Sequence, residues 1–162
     1  MYLSTITFVH VAISLFAIGA GFVVTHGFLK GRRLDGWNAA FLWTTVATSA
    51  TGYLFPFEKL LPSHVLGAIS LVVLGVAIYA RNGQHLAGRW NSTYVVSAIA
   101  AFYLNFFVLV VQSFLKVPAL KSLAPTQTEA PFAVAQLAVL VAYVVVGYFA
   151  TTRNRRSSLA AV

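Results

Sequence analysis

The run YVVSAIAAFYLNFFVLVVQSFL, residues 94–115, decides the fold. It holds no charged residue and no proline, and it is apolar on all sides rather than along one stripe. A helix gains about 1.5 Å per residue, so a run of this length crosses a hydrocarbon layer about 30 Å thick. A barrel strand would alternate polar and apolar side chains over about ten positions, and this run does not. Outward from it, residues 3–28, 37–55, 63–80 and 131–151 likewise carry no Asp, Glu, Lys or Arg. The sequence therefore predicts an all-α integral membrane protein, a compact bundle of five transmembrane helices. It forms one domain over residues 1–152, followed by a flexible basic tail over 153–162.

Composition agrees. Of 162 residues, 59% are hydrophobic and 9% are charged. A soluble domain carries about 25% charged residues, so this chain has too few to coat a globule. That argues against a soluble enzyme, a disordered tail and a nucleic-acid binder, despite a formal charge of +8. Cysteine is absent, which removes disulfides, iron–sulfur clusters, covalently attached haem and thiol nucleophiles.

The breaks between spans carry helix-stop chemistry. Gly31 and Gly36 frame the basic turn after the first span, and Pro56 and Pro62 bracket the next turn. Arg81-Asn82-Gly83 is expected to end the third span, since Asn and Gly tolerate the left-handed conformation that closes a helix. Pro118 follows the fourth span, and Val117 to Leu123 is expected to lie as a short amphipathic turn on the membrane surface. Thr128-Glu129-Ala130-Pro131 reads as a capped helix start.

Charge gives orientation. Lys30, Arg32, Arg33, Arg81, Arg89, Arg153, Arg155 and Arg156 fall on one side, eight of the eleven basic residues; Lys59, Lys116 and Lys121 fall on the other. Basic loops stay in the cytoplasm, so the N-terminus is expected outside and the C-terminus inside. The first span lacks a basic leading region, which disfavours a cleaved signal peptide. Tyr2 and Phe57 fall near the outer interface and Trp37, Tyr79 and Trp90 near the inner one, as an aromatic belt would.

In a bilayer the polar side chains are the informative ones, because each needs a partner. Thr44, Thr45, Thr48, Ser49 and Thr51 fill the second span and read first as packing and hydrogen-bonding groups, second as a cofactor surface. Gly19, Gly27, Gly67 and Gly75 read as contact points between helices. Ala98, Asn105 and Gln112 recur every seven residues and so share one face of the fourth span, its expected inward seam.

Neutral imidazole is the usual axial ligand of b-type haem in a helical bundle, so the four histidines need separate weighing. His10 and His26 are about 160° apart around one helix and face away from each other. His85 falls beyond Asn82-Gly83, near the inner interface. A two-haem carrier is thus disfavoured, and His10 with His64 are the candidate ligands for one haem or metal. His64 also suits an ordinary interfacial role, whereas His10 lies inside an apolar run and must have a partner. The candidate cofactor-binding set, for haem b or a quinone, is His10, Tyr53, His64, Gln112 and Gln136 in the outer half.

One resemblance adds to this. Leu61-Pro62-Ser63-His64-Val65-Leu66-Gly67, Leu74 to Arg81, and His85-Leu86-Ala87-Gly88-Arg89-Trp90-Asn91-Ser92-Thr93-Tyr94 resemble an uncharacterised bacterial integral membrane family, a DUF2306-like domain of unknown function. The Lys30-Gly31 turn is similar to that family's as well. The resemblance covers about two thirds of the chain and implies a helical bundle in the bacterial inner membrane, with no established activity.

Three functions compete. A non-catalytic membrane subunit or partner, in a hetero-complex or a homo-oligomer, fits the few polar groups and the uncharged spans. A haem- or quinone-binding electron carrier fits the outer polar cluster. A transporter of a neutral or lipid-like solute comes last, since five spans cannot form a simple two-fold internal repeat.

Overall fold

A computed structural model of the chain describes residues 2–55 and 62–159, with side chains over 4–55 and 64–155. Pro56, Phe57 and Lys59, expected in an outer turn, lie outside the described residues, as do Leu61 and the last three residues of the tail. Among the described residues six α-helices follow in order: α1 (Tyr2–Leu29), α2 (Asp35–Thr51), α3 (Pro62–Ile78), α4 (Arg89–Lys116), α5 (Pro118–Leu123) and α6 (Ala130–Leu159). Among the described residues four helices, α1, α3, α4 and α6, are long and apolar enough to cross a membrane. α2 has 17 residues and continues into a 3₁₀ turn over Gly52–Leu54.

α1 closes as its sequence dictates. Gly31 takes φ 65°, Gly31 N–H donates to the Phe28 carbonyl at 3.0 Å, and Arg32 N–H donates to the Gly27 carbonyl at 2.9 Å. This paired closure needs a residue free to turn left-handed, which glycine supplies. Gly27 also admits the Leu34 side chain, whose Cδ1 would be 3.0 Å from an added Cβ.

The end of α3 departs from the expectation. Instead of stopping at Asn82 or Gly83, the chain widens into a π turn over Tyr79–Gly83, with Gln84 N–H on the Tyr79 carbonyl at 3.0 Å. The left-handed residues are His85, Leu86 and Gly88, at φ 49°, 58° and 51°. A closing bond from Leu86 N–H to the Ala80 carbonyl, 3.0 Å long, holds this geometry. The other departure is at the tail: α6 continues as helix to Leu159, so the stretch expected to be flexible extends the last helix. After α4 the chain forms a short helix, α5, with Pro118 in its first turn.

The helices pack in a ring, α1–α2–α3–α4–α6 and back to α1. α4 also reaches across to α1 and α2, and its neighbour α5 folds against it. The central place of α4 fits the sequence that announces it. The apolar core sits toward the end that carries the α1–α2 turn: Val24 and Phe28 of α1, Phe41 and Leu42 of α2, Leu74 and Ala77 of α3, Val95 and Phe102 of α4, and Ala150 of α6. Phe102 is its hub, meeting Phe22, Phe41, Phe106 and Tyr143 edge-on at centroid distances of 5.0 to 6.4 Å. Large apolar side chains such as Phe8, Val72, Leu137 and Tyr148 stand exposed on the outside, as on a surface solvated by lipid.

Candidate functional site

The turn that ends α2 collects three of the five candidate residues. Thr51 donates its hydroxyl to the Ala47 carbonyl at 2.7 Å. That leaves the oxygen lone pairs of Thr51 facing Nδ1 of His10 at 2.8 Å. His10 therefore carries its proton on Nδ1 and donates it to Thr51, which directs a bare Nε2 away from the bond. The half-buried His10 ring meets Phe55 edge-on at 5.3 Å, and its Cε1 would be 3.9 Å from a Cβ on Gly52.

From the same turn, the Tyr53 hydroxyl donates to the backbone carbonyl of His64 at 2.6 Å. The two rings lie 5.6 Å apart, and His64 is buried. Gly67 makes room: a Cβ there would be 3.2 Å from Cε2 of Tyr53. The end of α2 and its turn thus meet both histidines, His10 through Thr51 and Phe55 and His64 through Tyr53.

Gln112 and Gln136 lie apart from this group. Gln112 is exposed on α4, so the expected inward seam turns outward at its C-terminal end. Ala98 is buried and Asn105 donates to the Thr45 hydroxyl at 3.3 Å, so the first two positions of the seam do face inward. Seven-residue steps drift by about 20° each on a straight helix, which carries Gln112 away from the face of Ala98. Gln136 donates to the Phe107 carbonyl at 3.3 Å across the α4–α6 contact, while its side-chain oxygen is buried without a partner. Among the described residues no group of three or more His, Cys, Asp or Glu comes together in metal-binding range.

A polar network at the opposite end escaped the sequence reading. Arg81, carried on the π turn, pairs with Asp35 at the start of α2 at 3.0 Å and also donates to the Asp35 carbonyl at 3.2 Å. Its guanidinium carbon lies 5.9 Å from the centre of the Tyr94 ring. Tyr94 in turn donates to the Asn38 side-chain oxygen, and Asn38 donates to the Leu34 carbonyl at 2.8 Å. Asp35, Arg81, Asn82, His85 and Leu86 line an open depression of about 430 Å³. The sequence signal for this network was thin: Asp35 is one of three acids, and nothing local pairs it with Arg81, 46 positions away.

In comparisons with known proteins, no family model, no curated protein and no solved structure matches this chain.

Proposed function

We propose that the chain is a five-span protein of the bacterial inner membrane that works as a non-catalytic subunit or partner of a larger membrane assembly. One observation carries the reading: polar side chains inside the bundle bridge one helix to the next. His10 joins α1 to α2, Ser49 joins α2 to Ser70 of α3 at 3.0 Å, Asn105 joins α4 to α2, and Gln136 joins α6 to α4. Asn154 closes the ring by donating to the Phe28 carbonyl of α1 at 3.0 Å. In lipid such bonds and close packing take over from the hydrophobic effect in holding helices together. The product is a fixed scaffold with an apolar exterior.

α2 is the fifth span of this reading. With its 3₁₀ turn it covers residues 35–54, a rise of about 30 Å. Eight of eleven basic residues lie at the end of the α1–α2 turn, which supports a cytoplasmic position for that end and an outer one for the start of α1. Membership of the DUF2306-like membrane family that the sequence resembles belongs to the same proposal.

Blue-native electrophoresis after gentle solubilisation tests the function. A species larger than the 17.5 kDa chain in its detergent belt supports it, and a monodisperse monomer in several mild detergents overturns it. One feature favours a second reading, a haem b or quinone carrier: the Thr51 bond fixes the His10 ring with Nε2 available as a ligand or acceptor. The contacts that hold the His10 ring against Phe55 and the His64 ring against Tyr53 weigh against a haem held by both. A visible spectrum of the same sample separates the readings, since a Soret band supports haem and its absence after added haem removes it.

A further inference from the structure

We propose that the seam between α1 and α6, at the basic end of the bundle, is a binding site for one anionic phospholipid. The recess there has a volume of about 350 Å³ and is lined by Leu29, Tyr148, Phe149, Thr152 and Arg153. Its chemistry divides along the helix axis. Phe149 and Tyr148 are 57% and 66% exposed and, with Leu29, offer an apolar wall suited to the upper part of an acyl chain. One turn further along α6, Thr152 and Arg153 stand four residues beyond Tyr148 and Phe149, on the same face. Arg153 offers a guanidinium at the depth of a phosphate group, with paired donors that match phosphate geometry, while the Thr152 hydroxyl donates to the Tyr148 and Phe149 carbonyls of its own helix at 3.0 Å.

Two features make the recess a built one. Asn154, buried, pins α6 to α1 through the Phe28 carbonyl, and Ala150, fully buried, lets the two helices close up beside it. The helix also runs on to Leu159, so Arg153 is held in register above Phe149 instead of belonging to a loose tail. The charge of the surroundings selects the occupant. Lys30 follows Leu29 directly, and Arg32, Arg33, Arg155 and Arg156 lie at the same end. Basic recesses between helices at a membrane surface suit anionic headgroups. The inference rests on the membrane-spanning reading but on neither its orientation nor its partner.

The test uses full-length protein in nanodiscs of phosphatidylcholine doped with phosphatidylglycerol. Both leaflets then present the same lipids, so orientation does not enter. Native mass spectrometry counts retained phosphatidylglycerol against phosphatidylcholine. The wild type should retain one phosphatidylglycerol in clear preference. Arg153→Gln should reduce that preference about fivefold, and Arg153→Lys should keep only part of it, since an ammonium retains the charge without the paired donors. Phe149→Ala should weaken retention while the headgroup preference survives. Lys121→Gln, the same charge change at the other end, should have no effect. An equal loss on Arg33→Gln and Arg153→Gln would show a diffuse surface field and overturn the site. Competition by inorganic phosphate as strong as by the lipid would overturn the lipid assignment. Circular dichroism of each variant in phosphatidylcholine discs confirms folding before the comparison is made.

Discussion

The ring of Phe102 lies against the backbone of α1 at Gly21: a Cβ added to Gly21 would stand 2.6 Å from Cδ2 and 2.7 Å from Cε2 of that ring. The ring is rigid and already touches aromatic side chains from α1, α2 and α6, so it cannot simply rotate aside. Gly21→Ala is expected to destabilise the bundle by about 1–3 kcal/mol, the range for overpacking a core. Gly19→Ala is the control, since nothing lies within 4 Å of its added Cβ. It should be neutral or gain up to about 1 kcal/mol from helix propensity. Thermal unfolding in detergent reads both, and Phe102→Leu in the Gly21→Ala background should recover part of the loss. Equal behaviour of the two alanine variants would refute the contact.

The helices were legible because apolar length is a property of sequence alone. The close approach at Gly21 was not: Gly19, Gly27, Gly67 and Gly75 draw the eye equally, yet the backbone meets the Phe102 ring at Gly21, while Gly19 and Gly75 face open space. Which glycine is pressed depends on rotation of α1 against α4. Asp35 and Arg81 show the same limit at the other end. Their pairing exists because α3 widens into a π turn that carries Arg81 over the start of α2, and local propensity would have ended that helix at Asn82-Gly83. At the candidate site the pairing of Tyr53 with His64 follows from short chain separation, whereas the exposure of Gln112 follows from the rotation of α4 in the bundle.

The bond between His10 and Thr51 should be measurable as a coupling. His10→Phe keeps the ring volume and Thr51→Val keeps the branched shape, so each removes one partner with little change in packing. Hydrogen bonds between membrane helices contribute about 0.6 kcal/mol on average and up to about 1.7. A double-mutant cycle in detergent should give a coupling in that range, at the upper part if the His10 ring is well shielded. A coupling indistinguishable from zero would mean that the two side chains do not share a proton in the folded bundle.

Glu129 organises the turn before α6. Its carboxylate accepts from the Thr126 hydroxyl at 2.9 Å, from Thr126 N–H at 3.2 Å and from Thr128 N–H at 3.0 Å. Slight desolvation pushes its pKa up, but these hydrogen bonds together outweigh that and hold it below the ordinary 4.5. A depressed carboxylate stabilises the folded turn fully above the unfolded value and loses that contribution as pH falls through the folded value. Protection of the Thr126 and Thr128 amides from hydrogen exchange, corrected for intrinsic rates, should therefore hold above about pH 4.5 and decline below it. Glu129→Gln should remove the acid-dependent step. A step of the same size in that variant would place its origin elsewhere.

The absence of cysteine makes topology directly measurable, because every introduced thiol is the only one present. Arg32, Leu54, Asn82 and Ser122 are exposed and sit in turns, at a helix end or on the short α5, where a cysteine disturbs little. If α2 crosses the membrane, Arg32→Cys and Leu54→Cys must react from opposite sides. The basic-side rule further requires Arg32→Cys and Asn82→Cys to react with an impermeant maleimide only after the cells are opened. Leu54→Cys and Ser122→Cys should react in intact spheroplasts. Arg32→Cys and Leu54→Cys labelling from the same side would reduce the bundle to four spans and leave α2 packed at one face. The reverse pattern at all four sites would keep five spans and invert the orientation, with the basic end outside.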